Sequence, residues 1–168
     1  MKEPNNLEIR IRNHIIPSIF VGITISVTIL TLSFLHIYVI PIAKFIVFSS
    51  FASSSFLLFM EPKKDSSRIS KFVKSYIIAG LIGILGFFIS TYIGIYYTIA
   101  LVETVISILL VTFTAMHPPA MGIGVVFILE RANIFALLFL FSGMVLIILF
   151  DEFLNKFVYV VKDEIHNK

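Results

Sequence analysis

Long apolar runs, divided by a few polar stretches, set the pattern of this chain. The first run extends from about Ile15 to Ile40 and reads IIPSIFVGITISVTILTLSFLHIYVI. A membrane-spanning helix needs roughly 20 apolar residues, so this segment is long enough. Its charged lead-in, Lys2 to Arg12, has the look of a signal-peptide start. The apolar run is too long for one, however, and no small-x-small cleavage site follows, so it is read as a retained helix. The second segment, Ala43 to Met60, is shorter and holds Ser49, Ser50, Ser53, Ser54 and Ser55 around Phe51 and Ala52. Pro41 precedes it and Pro62 follows it. Serines this dense suit helix contacts or a polar cavity better than a lipid-facing surface.

Residues 61–71, EPKKDSSRISK, form the one long hydrophilic stretch inside the chain. A third segment follows from about Phe72 to Ile93, with Gly80, Gly83 and Gly86 spaced for close approach of a neighbouring helix. The fourth, about Tyr96 to Met116, carries Glu103. It ends at His117-Pro118-Pro119, where two prolines break the helix and push the residue before them into an extended conformation. The fifth segment, Ala120 to Leu129, is only about 10 residues long and contains Gly122 and Gly124. At 1.5 Å per residue it covers about half of a 30 Å hydrocarbon core. It must dip into the membrane or complete a crossing with non-helical backbone. The sixth runs from about Ile134 to Phe150. The tail, residues 151–168, reads as a short amphipathic helix with Phe153, Phe157, Val160 and Val161 on one face. The expected fold is an all-α integral membrane protein of one membrane domain, residues 1–168. It has about six hydrophobic segments, two of them short or re-entrant.

Composition agrees. Of the 168 residues, 58% are hydrophobic and 14% charged, against about 45–50% and about 25% in soluble domains. A soluble monomer, a disordered chain and a fibrous repeat are excluded on that basis. The chain has no Cys, hence no disulfide, thiolate metal site or cysteine nucleophile. Net charge is +3, but no basic stripe with interleaved aromatics accompanies it, so nucleic acid is not an expected partner. The basic residues fix orientation instead. With residues 1–14, the loop at 61–71 and the tail at 151–168 in the cytoplasm, only Lys44 and Arg131 fall outside, as the positive-inside rule requires. Both termini are then cytoplasmic in a cell membrane. Tyr38, Tyr92, Tyr96 and Tyr97 gather at the outer interface as an aromatic belt.

The six segments also read as three plus three. In each triple the middle segment is short, follows a proline and is rich in small residues. A three-segment unit repeated in tandem is inverted in the membrane, and paired interrupted segments point to a transporter's binding site. His117 is the sharpest candidate there, because an imidazole beside a break can donate to an anion, carry a proton or satisfy freed carbonyls. Behind Pro118 and Pro119, the N–H groups of Ala120, Met121 and Gly122 open a helix whose positive end suits an anion. Ser53 and Ser54 offer uncharged hydroxyls from the other half. Glu103, the only acid well inside an apolar run, is a candidate for gating or proton coupling, or else a wet interfacial residue. No nucleophile elbow, paired membrane carboxylates or metalloprotease motif appears. No enzymatic activity, metal or cofactor is expected.

The chain resembles a known family at His117-Pro118-Pro119-Ala120. It is similar to the HPP family of small integral membrane proteins over about residues 15 to 150. Three features carry the likeness: the tripeptide at the end of a membrane helix, the earlier Phe51-Ala52-Ser53-Ser54-Ser55, and the polar loop with Arg68 between them. The family pattern has Gly after that Phe and after the Ala of the motif, where this chain has Ala52 and Met121. The resemblance implies nitrite transport, an activity associated with plastid and cyanobacterial members. The reading that follows is a transporter or channel for a small monovalent anion, nitrite-like, in contact with the lipid bilayer. A chain this small with polar breaks is also expected to form a homo-oligomer. The rival is a non-transporting scaffold subunit that holds a partner with its glycine faces.

Overall fold

A computed structural model describes Ile11, residues 15–38 and residues 47–166. Most of the charged N-terminal stretch, and residues 39–46 with Pro41 and Lys44, lie outside the described residues. Among those described, the regular elements are all helices and no strand occurs. Its α-helices are α1 (Ile16–Tyr38), α2 (Val47–Met60), α3 (Ile69–Ile93), α4 (Ile95–Thr112), α5 (Met121–Leu129) and α6 (Ile134–His166). Short 3-10 turns at Asp65–Ser67 and Pro118–Ala120 precede α3 and α5. Among the described residues, α3, α4 and the Ile134–Phe153 part of α6 are long and apolar enough to cross a membrane. Leu81, Leu85 and Phe88 on α3, Ile108 and Val111 on α4, and Leu138, Val145 and Leu149 on α6 are exposed. Such apolar surface is at home in lipid. The interior mixes large apolar side chains with buried Thr24, Thr28, Ser50, Ser54, Ser55, Ser75, Thr98 and His117.

The glycine column of α3 is filled from within the chain. A Cβ on Gly80 would lie 2.9 Å from Leu137 of α6, and one on Gly86 would lie 2.6 Å from Val102 of α4. Gly83 faces backbone: its Cβ would stand 2.8 Å from Phe127 Cβ and 3.2 Å from Gly124 Cα of α5. These contacts also give directions. Gly124 and Ile128 of α5 meet Gly83 and Gly86 in the same order, so α5 runs parallel to α3. Val21 of α1, Phe59 of α2 and Asp151 of α6 meet at one end of the bundle. Successive helices therefore alternate in direction, so the second triple runs opposite to the first.

Helix ends explain where the segments depart from expectation. The fourth segment was expected to reach Met116, yet α4 stops at Thr112. Thr114 adopts a left-handed conformation at φ 49°, and the Ala115 amide reaches back to the Leu110 carbonyl at 2.8 Å. That closure is a Schellman motif, and it releases the following residues from the helix. Arg131 ends α5 the same way, at φ 53° with Ala132 N–H on the Phe127 carbonyl at 2.9 Å. Gly94, at φ 87°, makes the α3–α4 hairpin in a conformation that suits glycine. Tyr92, Tyr96 and Tyr97 are exposed at that tip; the Tyr38 side chain lies outside the described residues. Ile128 packs at Gly86, about two turns short of Gly94, so α5 turns back below the hairpin tip. The tail is not a separate helix. No proline or glycine follows Gly143, and α6 continues without a break to His166.

The close α3–α5 contact makes a clear prediction. Gly83→Ala forces backbone apart and is expected to lower stability by about 1–3 kcal/mol. Gly22→Ala, whose Cβ meets nothing within 4 Å, is expected to be neutral or stabilising through helix propensity. Thermal unfolding of the detergent-purified protein reads both, and equal midpoints for the two variants would contradict the packing described.

Candidate functional site

Helical periodicity sorts the α2 serines into three directions. Ser50 and Ser54, one turn apart, are buried toward α5 and the proline break. Ser53 is exposed on the flank and donates to the Ser49 carbonyl at 3.0 Å. Ser55 is buried toward α1 and α6. Phe51 is buried against Gly143 of α6 and stacks on Tyr76 of α3 with ring centroids 5.5 Å apart.

At the break, His117 is extended, at φ −137° and ψ 95°, as a residue before proline should be. The stretch freed by the α4 terminus carries it under the loop that follows α2. There it is completely buried. Its Nδ1 lies 2.7 Å from the Ser66 carbonyl oxygen. A carbonyl only accepts, so Nδ1 carries the hydrogen and donates. In the neutral ring Nε2 is then an acceptor, and the Ser54 hydroxyl donates to it at 2.8 Å. Ser54 in turn accepts from the Tyr76 hydroxyl at 2.7 Å. The result is one directed chain, Tyr76 to Ser54 to His117 to the Ser66 carbonyl, with every side-chain hydroxyl hydrogen used. Phe72 meets the imidazole edge-on at 5.3 Å, and Tyr76 lies 6.0 Å from it. These rings exclude water, which strengthens the polar contacts they enclose.

The 3-10 turn at Pro118–Ala120 uses the first backbone amides of the break itself. Ala120 N–H donates to the His117 carbonyl at 3.0 Å, and Met121 N–H to the Pro118 carbonyl. Gly122 packs beside Ser50, whose hydroxyl oxygen would lie 3.1 Å from an added Cβ. The structure thus brings together His117, Ser54 and, through α2, Ser50 and Gly122. Glu103 is elsewhere, with Oε1 buried against Gly124 on α5 and turned toward the Val125 amide.

Beside the buried cluster lies an open groove of about 610 Å3. Ser53, Lys64, Ser66, Pro118 and Pro119 line it, together with Ile25 and Phe56. Lys64 pairs with Glu61 at 2.7 Å. The loop that supplies Lys64 and Ser66 is fastened at Asp65, which pairs with Lys71 and Arg68. The Lys71 ammonium, with Arg68 behind it, holds the Asp65 carboxyl below the usual carboxylate range. Buried Ser67 donates to the Leu57 carbonyl at 3.1 Å and pins the loop to the end of α2.

A family model described as HPP, transmembrane region, matches residues 10–161. The chain belongs to this family. No curated protein and no solved structure matches it. The tripeptide of this HPP protein is therefore the place where loop, α2, α3 and α5 are joined. Tyr76, Ser66 and Lys64 were not candidates from the sequence. A tyrosine one turn inside an apolar helix was the one available signal for Tyr76, because a buried phenol needs a partner. Ser66 acts through its backbone carbonyl, which no residue pattern marks.

The directed chain predicts unequal losses. Tyr76→Phe removes only the terminal donor and is expected to cost about 1 kcal/mol. Ser54→Ala leaves both the Tyr76 hydroxyl and His117 Nε2 buried without partners, at about 1–3 kcal/mol each. Thermal unfolding should rank Ser54→Ala well below Tyr76→Phe, and the reverse order would contradict the chain.

Proposed function

We propose that this HPP protein is a transporter or channel for a small monovalent anion, nitrite-like, in the cell membrane, with the loop end of the bundle cytoplasmic. One observation carries the reading: the short helix α2 and the break that opens the short helix α5 meet at the Ser54–His117 hydrogen bond. The groove on their shared flank bears its polar groups, Lys64, Ser66 and Ser53, beside the prolines of the break. Lys64, held by Glu61, supplies a positive charge to that lining, and Ser53 an uncharged hydroxyl. His117 and Ser54 lie behind this wall and hold its shape, while Glu103 stands apart on α4 as the acid available for gating or proton coupling. The basic loop and the cytoplasmic orientation follow from the positive-inside rule. The scaffold reading loses its main support, because the glycine column that was to grip a partner is filled by α4, α5 and α6 of the same chain.

Flux of nitrite, nitrate, chloride and formate into proteoliposomes, at pH 5 and pH 7, tests this directly. Selective flux is expected in the parent protein, with a loss of tenfold or more in His117→Ala and a several-fold loss in Lys64→Gln. No flux of any of the four from folded protein, at either pH, would overturn the reading.

A further inference from the structure

The outer face of α3 carries a cleft at the loop end of the bundle. Lys74, Ile77 and Ile78 line it from α3, and Phe113, which caps the end of α4, lines it as well. Lys74 lies two residues from both Phe72 and Tyr76, so it stands about 200° round the helix from the buried hydrogen-bonded cluster. Phe72 and Tyr76 are fully buried, whereas Lys74 is exposed. Phe113 is exposed too, and after the left-handed Thr114 the chain turns inward to the fully buried Ala115. The cleft is open and measures about 260 Å3, just under the range of small-ligand pockets, about 300–1,000 Å3. Leu81 and Leu85 continue the Lys74 face of α3 toward its far end, and both are exposed. A cation thus stands at the foot of an apolar strip that runs up a membrane-spanning helix.

We propose that this cleft binds a phospholipid with a net negative headgroup, its phosphate on Lys74 and an acyl chain along Ile78, Leu81 and Leu85. Charge is the first argument. No acidic side chain lines the cleft, and among the described residues Lys74 has no ion-pair partner. The nearby loop acids are taken: Glu61 pairs with Lys64, and Asp65 with Arg68 and Lys71. Depth is the second. Lys74 is five residues into α3, about 8 Å along the helix axis. From there its stem lies on apolar surface while the ammonium reaches headgroup level. Basic residues at that level, between spanning helices, recognise anionic headgroups. The third is the rest of the lining, which is apolar. A free inorganic anion would find one ammonium and nothing else, whereas a lipid fills both parts of the site. A zwitterionic lipid carries its own cation, which offsets the attraction of its phosphate.

The test reads lipid binding, so it stands or falls separately from anion flux. The chain has no Trp, so Phe113→Trp places a single indole in the wall of the cleft. The full chain with that substitution is reconstituted in bilayers of phosphatidylcholine and phosphatidylglycerol, with one or the other carrying brominated acyl chains that quench the indole on contact. Phosphatidylglycerol is expected to bind there about fivefold more tightly than phosphatidylcholine, the factor that one lysine charge supplies. Adding Lys74→Gln is expected to bring the two lipids level. Lys74→Arg, which keeps the charge, is expected to retain the preference, as is Lys63→Gln in the exposed loop. Equal quenching by the two lipids with Lys74 in place would overturn the proposal, as would a preference that survives Lys74→Gln. A preference erased by millimolar inorganic phosphate at constant ionic strength would overturn it as well, by giving the site to a free anion.

Discussion

Both ring nitrogens of His117 are engaged, one on the Ser66 carbonyl and one on the Ser54 hydroxyl, and with the Tyr76–Ser54 bond they tie together four parts of the chain that would otherwise separate. Ser66 belongs to the loop after α2, Ser54 to α2 itself, Tyr76 to α3, and His117 to the break before α5. In an apolar interior a lost partner leaves a buried polar group unsatisfied, so the chain of bonds holds as a unit. The rings of Phe72 and Tyr76 pack around the imidazole and keep that interior dry.

Two backbone devices deliver His117 to that place. The left-handed Thr114 stops α4 early, so that His117 stands outside any helix, in extended conformation, beneath the loop. The prolines then set the direction of a helix too short to cross alone. α5 is kept in the bundle by backbone contact with Gly83, where the absence of a side chain lets two helices approach. The loop is fixed from its own side by the ion pairs at Asp65 and by the Ser67 hydroxyl. The wall that the prolines give to the groove belongs to the same turn that follows His117.

Much of this was legible from residues alone. Apolar run lengths gave the helical membrane fold, and the prolines at 118 and 119 gave the break. The serine segment and the break were expected to share a site, and Ser54 does lie on His117. What was not legible has a physical cause in each case. The α4 terminus is set by a threonine in a conformation that glycine usually fills, so no glycine marked it. The five serines looked like one lining, but a helix turns 100° per residue, so Ser50 and Ser54 face the break, Ser55 faces α1 and α6, and Ser53 is exposed. The glycine column promised close helix approach without saying which helix, because a bare backbone accepts any partner of the right shape. The first amides of the short helix were expected to be open to an anion, and a 3-10 turn, invisible in composition, uses two of them. The tail was divided from the sixth segment by its change in polarity, which a continuous helix tolerates when it leaves the membrane.

The directed hydrogen-bond chain fixes the tautomer of one side chain, and that can be read without any assumption about transport. Nitrogen-15 chemical shifts of His117, measured by solid-state NMR in lipid at neutral pH on a variant with the other histidines replaced, separate a protonated from an unprotonated ring nitrogen. The structure predicts a neutral ring with hydrogen on Nδ1 and a bare, hydrogen-bonded Nε2. Hydrogen on Nε2 with a bare Nδ1 would contradict it, because the Ser66 carbonyl would then face a nitrogen with nothing to donate.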